Sequence, residues 1–342
     1  MTYADGIAQF VDRSNAVLVP DFHTRPFAEQ RAMYERLAEE FPFERPAGVD
    51  VRDEVLAAGD WSVPVRVYRS AAPADGAADT GRGGLLFYHG GGFVLGSLDS
   101  HDTIAAEIAA KTGLVVVSVG YPPAPETHFP DTVDICFAAL TAVAALASDL
   151  GIDPARIGVA GDSSGANLAV AVALTARDRR GPAIAAQALI SPVLDFARWK
   201  SGGDDAPLLS SDEMLLFTRS YAGPDPAVLD DPLVSPLRSA RFDSLPPAYV
   251  MSAEQDSLRS DAEDYAQRLT AEGVPVQLSV EPGLVHACIR ARGVSAAAAD
   301  AFDRWCAATA GLLSRPGRPF PDSGPETPGG GPDGAGTSSV GN

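Results

Sequence analysis

The sequence predicts an α/β protein whose central sheet is mostly parallel and is covered by helices on both faces. Short apolar runs recur along the chain, and helical stretches lie between several of them. Buried parallel strands are typically uninterrupted apolar runs, and their alternation with helices indicates a sheet with two covered faces. Ligand sites in such sheets form at the carboxyl ends of the strands. The runs are residues 85–88, 115–119, 157–160, 188–190, 248–251 and 276–280.

Two other patterns precede the first of these runs. Met33, Leu37 and Phe41 lie at helical spacing, and we expect most of residues 1–45 to be helical. Farther along, Val63, Val65 and Val67 alternate with other residues, which predicts a strand. Pro64 lies inside this strand and cannot donate a backbone hydrogen bond, so an edge position in the sheet is expected.

Two later segments break the alternation of strands and helices. Residues 195–235 separate two predicted strands, and their apolar residues predict a helical insertion. Half of residues 315–342 are glycine or proline, and such a tail cannot bury enough apolar surface to become ordered, so disorder is expected there. The remaining helices are predicted near residues 100–112, 130–149, 164–180, 258–272 and 294–313.

The composition excludes several classes of partner. The chain has 342 residues and a formal net charge of −19, which disfavours binding to nucleic acid and to anionic membrane surfaces. Its three cysteines do not suit a disulfide framework, so the reducing cytoplasm is the expected location. The N-terminus lacks the features of a signal peptide, and the longest apolar run, residues 135–147, is too short to span a bilayer. No membrane partner is therefore expected.

Residues 161–165 match the G-x-S-x-G pattern of a serine nucleophile, with Ser163 at its centre. A predicted strand precedes the motif and a helix of small residues follows it, which is the arrangement of a nucleophile elbow. The tight turn would lift the Ser163 hydroxyl clear of the sheet. Ser164 is the less suitable nucleophile, because only Ser163 lies centrally between the glycines. For the motif alone, a serine–glycine loop without chemistry is the alternative.

A second glycine motif, His89-Gly90-Gly91-Gly92, directly follows the predicted strand 85–88. Glycines allow backbone N–H groups to approach a substrate oxygen closely, and such donors form an oxyanion hole. The N–H group of Ser164 is expected to supply a further donor. A phosphate-binding loop is the alternative, but it would require a lysine pattern that the chain lacks. His89 is interpreted as a residue that holds the loop.

The general base is expected late in the chain, because the acid and then the histidine follow the serine in enzymes with a nucleophile elbow. His286 comes after the last predicted strand and would lie above the sheet. His101 and His128 precede the elbow and are interpreted as structural. The acid should end the preceding strand, where Glu254 and Asp256 both qualify by position.

Together, these residues resemble the bacterial hormone-sensitive-lipase-like esterases, a branch of the α/β-hydrolases. The resemblance covers residues from about 50 to 313. One departure concerns Tyr121-Pro122-Pro123, where the family usually has Tyr-Arg-Leu, so an ion pair of that arginine would be missing. The similar segments are HGGGFVLGSLDSHD (89–102), YPPAPETHFP (121–130), GDSSGAN (161–167), DPLVSPL (231–237), AEQDSL (253–258) and GLVH (283–286).

The resemblance implies an α/β-hydrolase fold and assigns the remaining site residues. It selects Asp256 as the acid and implies that Gly91, Gly92 and Ser164 supply the oxyanion donors. It also implies a helical cap, built from residues 1–45 and about 195–225, on a catalytic domain of residues 46–314. Residues of the cap and those just after the oxyanion glycines are then expected to line the substrate pocket. These are Phe93, Val94, Leu208, Leu209, Met214 and Phe217.

The expected activity is that of a serine carboxylesterase that hydrolyses short-chain acyl esters through an acyl-enzyme. Ser163 would attack the ester, His286 would transfer the proton, and Asp256 would hold the histidine. The expected partner is a small-molecule ester, with no cofactor and no metal, and the oligomeric state is left open, a homodimer included. The same triad could serve an amide deacetylase or an acyltransferase. A non-catalytic ligand receptor is the alternative of another class, although such proteins typically lose a triad member.

Overall fold

The computed structural model describes residues 2–71 and 81–314. Within them lies one eight-stranded sheet with the strand order β1-β2-β4-β3-β5-β6-β7-β8. β2 pairs antiparallel with β1 and with β4, and all other pairs are parallel. The strands are β1 Val49–Ala58, β2 Trp61–Ser70, β3 Arg82–Tyr88, β4 Val115–Val119, β5 Ile152–Asp162, β6 Ala186–Ile190, β7 Ala248–Gln255 and β8 Val276–Val285.

Eight α-helices accompany the sheet in the part of the chain that the structure describes. Their order confirms the predicted alternation with strands, and each helix predicted between or after the strands is present with its ends shifted by a few residues. They are α1 Ile7–Val17, α2 Phe27–Glu40, α3 Asp102–Thr112, α4 Asp131–Ala145, α5 Ser164–Arg179, α6 Ser211–Ala222, α7 Arg259–Ala271 and α8 Ala296–Leu312.

The central strands bury both faces, as their apolar sequences predict. In β4, Val115, Val117 and Val119 pack in one core cluster together with residues of α4 and α5, while Val116 packs in a second cluster with residues of α3 and α8. This alternation follows from the period of two in a strand. The sheet is thus a middle layer between two helical layers, and the predicted α/β fold is confirmed.

Pro64 corrects one expectation, because β2 is an interior strand with neighbours on both sides. The ladder between β2 and β4 begins at Val65, so Pro64 lies just beyond it. Its carbonyl still accepts a hydrogen bond from the N–H group of Gly120 at 2.9 Å. A proline is tolerated here since the donor that it lacks would fall past the end of the ladder.

The predicted disorder of residues 315–342 lies outside the described residues. Among the helices that the structure describes, none combines the length and the apolar composition that crossing a membrane requires. The apolar run at 135–147 forms most of α4. Ile135 and Ala139 on its buried side pack in the core next to the sheet.

Candidate active site

Ser163 lies between the end of β5 and the first residue of α5, in a strained backbone conformation. Its φ of 54° and ψ of −118° are rare for a residue with a side chain. The turn is tight because its two glycines touch other backbone. A Cβ on Gly161 would collide with Gly165, and a Cβ on Gly165 would collide with the carbonyl of Tyr88. The turn therefore presents the Ser163 side chain above the carboxyl end of the sheet.

Loops after β7 and β8 bring an acid and a base to this serine. The Oγ atom of Ser163 lies 3.0 Å from Nε2 of His286, and Nδ1 of His286 lies 2.8 Å from Oδ2 of Asp256. Asp256 and His286 are both buried. The other oxygen of Asp256 accepts a hydrogen bond from the N–H group of Leu258 at 2.9 Å, which fixes the carboxylate. The three side chains form a continuous hydrogen-bonded chain.

The structure distinguishes the two carboxylates, Glu254 and Asp256, between which sequence position does not decide. Glu254 is exposed, and it accepts a hydrogen bond from the backbone N–H group of Gly283 at 2.7 Å. This contact ties the end of β7 to the turn in β8. Asp256, two residues later, is the carboxylate that contacts His286.

The His286 imidazole has a pKa that the acid controls. Burial alone would lower this pKa, but the charge of Asp256 and its hydrogen bond raise it above the ordinary value of 6.5. The neutral form of the imidazole is the one that can accept a proton from Ser163.

We therefore expect an acid limb above pH 6.5 in the pH profile of kcat/KM. As the pH falls through the raised pKa, His286 becomes protonated and activity declines. Measuring kcat/KM for p-nitrophenyl acetate from pH 5 to 9 would locate this limb. A limb clearly below pH 6.5 would contradict the arrangement in which Asp256 stabilises the protonated histidine.

The glycine motif forms a turn beside the serine. Gly91 and Gly92 have φ values of 123° and 61°, and a Cβ on Gly92 would collide with the ring of Phe217. The N–H group of Gly90 donates to Oδ1 of Asp162 at 2.9 Å, which ties the turn to the elbow. Within the described residues, no acceptor is paired with the N–H groups of Gly91, Gly92 or Ser164. These three donors are available to a substrate oxygen.

Two other histidines lie beneath this turn. The His89 ring stacks on Tyr121 at a centroid distance of 4.2 Å and on His101 at 5.5 Å. Burial lowers the pKa of His89 to about 3, so this imidazole stays neutral. His101 lies 3.4 Å from Asp162 and 3.2 Å from Arg290. Both histidines pack and bond within the protein, and neither contacts Ser163.

A cavity with a free volume of about 70 Å³ is lined in part by Ser163 and His286. Four residues of the predicted pocket are among those that line it, namely Leu208, Leu209, Met214 and Phe217. The sequence reasoning did not name several lining residues of the N-terminal segment, since only long-range packing brings α1, α2 and the connection between them to the cavity. They are Phe10, Ser14, Leu18, Phe22, Tyr34 and Leu37.

Phe93 and Val94 are absent from the residues that line the cavity, which corrects the expectation for both. Phe93 has a φ of 64°, and its ring turns away to stack on Tyr221 at a centroid distance of 3.6 Å. Val94 is fully buried in a small cluster with Phe22 and Leu95. Both side chains pack against residues that line the cavity, Phe93 against Phe196 and Val94 in the cluster that contains Phe217.

Arg31 of α2 forms an ion pair with the segment that contains the Tyr121-Pro122-Pro123 departure. Its guanidinium pairs with Glu126 at 2.6 Å and also donates to the carbonyls of Val94 and Ala124. These bonds hold α2 against the glycine turn. In the residues that the structure describes, no group of three histidine, cysteine, aspartate or glutamate side chains is placed to hold a metal ion.

Comparison with known proteins places this geometry in a family. A family model described as the alpha/beta hydrolase fold matches residues 85–290, which contain the glycine turn, the elbow, the acid and the histidine. The chain belongs to the α/β-hydrolase family. This confirms the fold and the family that the sequence motifs indicate.

Several relatives of the chain are named as esterases or ester hydrolases. The chain is 39% identical over 257 residues to carboxylesterase NlhH of Mycobacterium tuberculosis, covering 73% of this chain and 78% of the relative. It is 39% identical over 237 residues to ethyl acetate hydrolase of Pseudomonas putida, covering 67% and 72%. Among solved structures, the hyperthermophilic esterase from Pyrobaculum calidifontis superposes with a TM-score of 0.81 at 29% identity, covering 92% of this chain and 100% of that one.

Proposed function

We propose that this α/β-hydrolase is a serine carboxylesterase. The observation that carries the proposal is the hydrogen-bonded chain from Ser163 through His286 to Asp256. Nucleophile, base and orienting acid in this order are the machinery of acyl transfer by a serine. The esterase names of the relatives supply the reaction, which is the hydrolysis of carboxylic esters.

In the first half-reaction, the Ser163 oxygen attacks the ester carbonyl while Nε2 of His286 accepts the serine proton. The developing oxyanion is stabilised by the N–H groups of Gly91, Gly92 and Ser164. His286 then gives its proton to the leaving alcohol, and an acyl-serine remains. In the second half-reaction, water attacks this acyl group with His286 again as the base, and the carboxylic acid is released.

We further propose that residues 1–45 and about 195–225 act as a cap on a catalytic domain of residues 46–314. Residues from both segments line the cavity at Ser163, among them Phe10 and Tyr34 from the first and Met214 and Phe217 from the second. A cap of this kind excludes bulk water from the reacting ester and strengthens the electrostatic interactions within the site.

The direct test is an activity screen with p-nitrophenyl esters, combined with fluorophosphonate labelling of the intact protein. We expect turnover of the esters and stoichiometric labelling at Ser163. Labelling without turnover of any ester would contradict the carboxylesterase proposal and favour an amide or acyl-transfer reaction.

We expect a preference for short acyl groups, from acetyl to about hexanoyl. A free volume of about 70 Å³ corresponds to roughly two water molecules at about 30 Å³ each, which is comparable to a short alkyl chain. Each methylene adds about 0.8 kcal/mol of burial only while it fits. The measurement is kcat/KM across p-nitrophenyl esters from acetate to palmitate, and a maximum at the long end would reject the short pocket.

A further inference from the structure

Glu213 is the charged side chain of the cavity that the catalytic motifs do not explain. The described residues that line the cavity are mostly apolar, and no lysine or arginine is among them. The other carboxylate, Asp162, is engaged with Gly90 and lies beside His101. Glu213 is half-buried, and its carboxylate is one of the few polar groups in a lining that is mostly apolar.

Helix capping accounts for the position of Glu213 but not for its charge. Ser210 caps α6, and both its N–H group and its hydroxyl donate to Oε2 of Glu213, at 2.8 and 2.7 Å. Within the described chain, no donor is paired with the second oxygen, Oε1. A glutamine serves equally well at this place in a capping box. The cap fixes the side chain at the first turn of α6 and leaves one oxygen for another partner.

The location of Glu213 favours the alcohol part of a substrate. His286 protonates the leaving alcohol, so the alcohol lies on the histidine side of Ser163. The charge of Glu213 acts on His286 and contributes to its raised pKa. Phe217 lies one turn farther along α6 on the same face as Glu213, and its ring packs against Gly92. A carboxylate and an aromatic ring of α6 thus line the same cavity as Ser163 and His286.

We propose that Glu213 selects esters whose alcohol part carries an ammonium group, that is, esters of cationic amino alcohols. The inference rests on the proposed esterase function and names its substrate class. A cation there would gain the Oε1 charge and the face of the Phe217 ring, two interactions that strengthen on desolvation. The formal net charge of −19 also attracts cations to the protein and repels esters that carry a carboxylate.

The test compares two acetate esters of nearly the same shape, acetylcholine and its uncharged analogue 3,3-dimethylbutyl acetate. We would measure kcat and KM for both esters with the wild-type protein and with Glu213→Gln, which keeps the capping box. We expect the ratio of the two kcat/KM values to fall by about tenfold in the variant, as on loss of one charge-assisted contact. The effect should come from a raised KM for acetylcholine, because any change that the variant causes in the His286 pKa affects both esters alike and cancels in the ratio.

Asp212→Asn is the matched control, because it removes the same charge from the neighbouring residue of α6. The Asp212 side chain is 68% exposed, faces His23 at 3.6 Å and does not line the cavity. We expect the ratio of kcat/KM for the two esters in Asp212→Asn to stay within about twofold of the wild-type ratio. An unchanged ratio in Glu213→Gln, or an equal fall in Asp212→Asn, would overturn the selectivity alone. Absence of p-nitrophenyl acetate hydrolysis by the wild-type protein would overturn the esterase proposal and the selectivity with it.

Discussion

Replacing Ser163 with alanine should reduce ester hydrolysis by about 10⁴- to 10⁶-fold while leaving the protein folded. The alanine removes the nucleophilic oxygen that lies 3.0 Å from Nε2 of His286. Residual hydrolysis would come only from substrate binding and the oxyanion donors. The measurement is kcat/KM for p-nitrophenyl acetate, with the melting temperature as the check on folding.

Ser164→Ala is the informative comparison for this variant. Its hydroxyl accepts a hydrogen bond from the N–H group of Phe93 at 3.2 Å, so its removal should weaken the glycine turn without removing the nucleophile. We expect fluorophosphonate to label Ser164→Ala and not Ser163→Ala. More than a tenth of the wild-type rate in Ser163→Ala would show that another residue attacks the ester.

The motifs predict the main elements of the site because they depend on local backbone chemistry. Two glycines around Ser163 are required where the chain turns back on itself, and the sequence displays them directly. The same holds for the turn at Gly91 and Gly92, whose positive φ values favour glycine. Such features can be found from sequence because each is confined to a few consecutive residues.

The direction of a side chain and the packing of distant segments are not contained in these motifs. Phe93 follows the oxyanion glycines in sequence, yet its positive φ turns the ring towards Tyr221. Phe10 and Tyr34 reach the cavity only because α1 and α2 fold back over the sheet. Glu213 carries a sequence signal, since Ser210 and Glu213 have the spacing of a capping box, but that signal indicates a helix start and not a wall of the cavity.

The choice of Asp256 as the acid is a case in which the family resemblance adds information that the residues alone do not give. Position along the chain leaves Glu254 and Asp256 equivalent, because both come at the end of β7. The structure distinguishes them by burial and partner, with Asp256 against His286 and Glu254 against Gly283. This difference predicts opposite outcomes for two substitutions of the same chemical type.

Asp256→Asn should lower kcat by about 10⁴-fold, an effect typical of replacing the orienting acid in a serine triad. The amide can turn its NH₂ group towards Nδ1 and donate to it, which favours the tautomer that carries the proton on Nε2, so Nε2 is no longer free to take the Ser163 proton. The charge that raises the His286 pKa is also removed. The acid limb of the remaining activity should therefore move to lower pH, because more acid is then needed to protonate the imidazole.

Glu254→Gln is the matched control, since it replaces a carboxylate with an amide two residues away. Its side-chain oxygen can still accept the hydrogen bond from Gly283, so the link between β7 and β8 is retained. We expect a rate within a few-fold of wild type and an unshifted acid limb, as for a change at an exposed surface residue. The reverse ranking of the two variants would identify Glu254 as the acid. A rate loss in Asp256→Asn without a shift of the acid limb would mean that Asp256 positions the loop and does not act on the charge of His286.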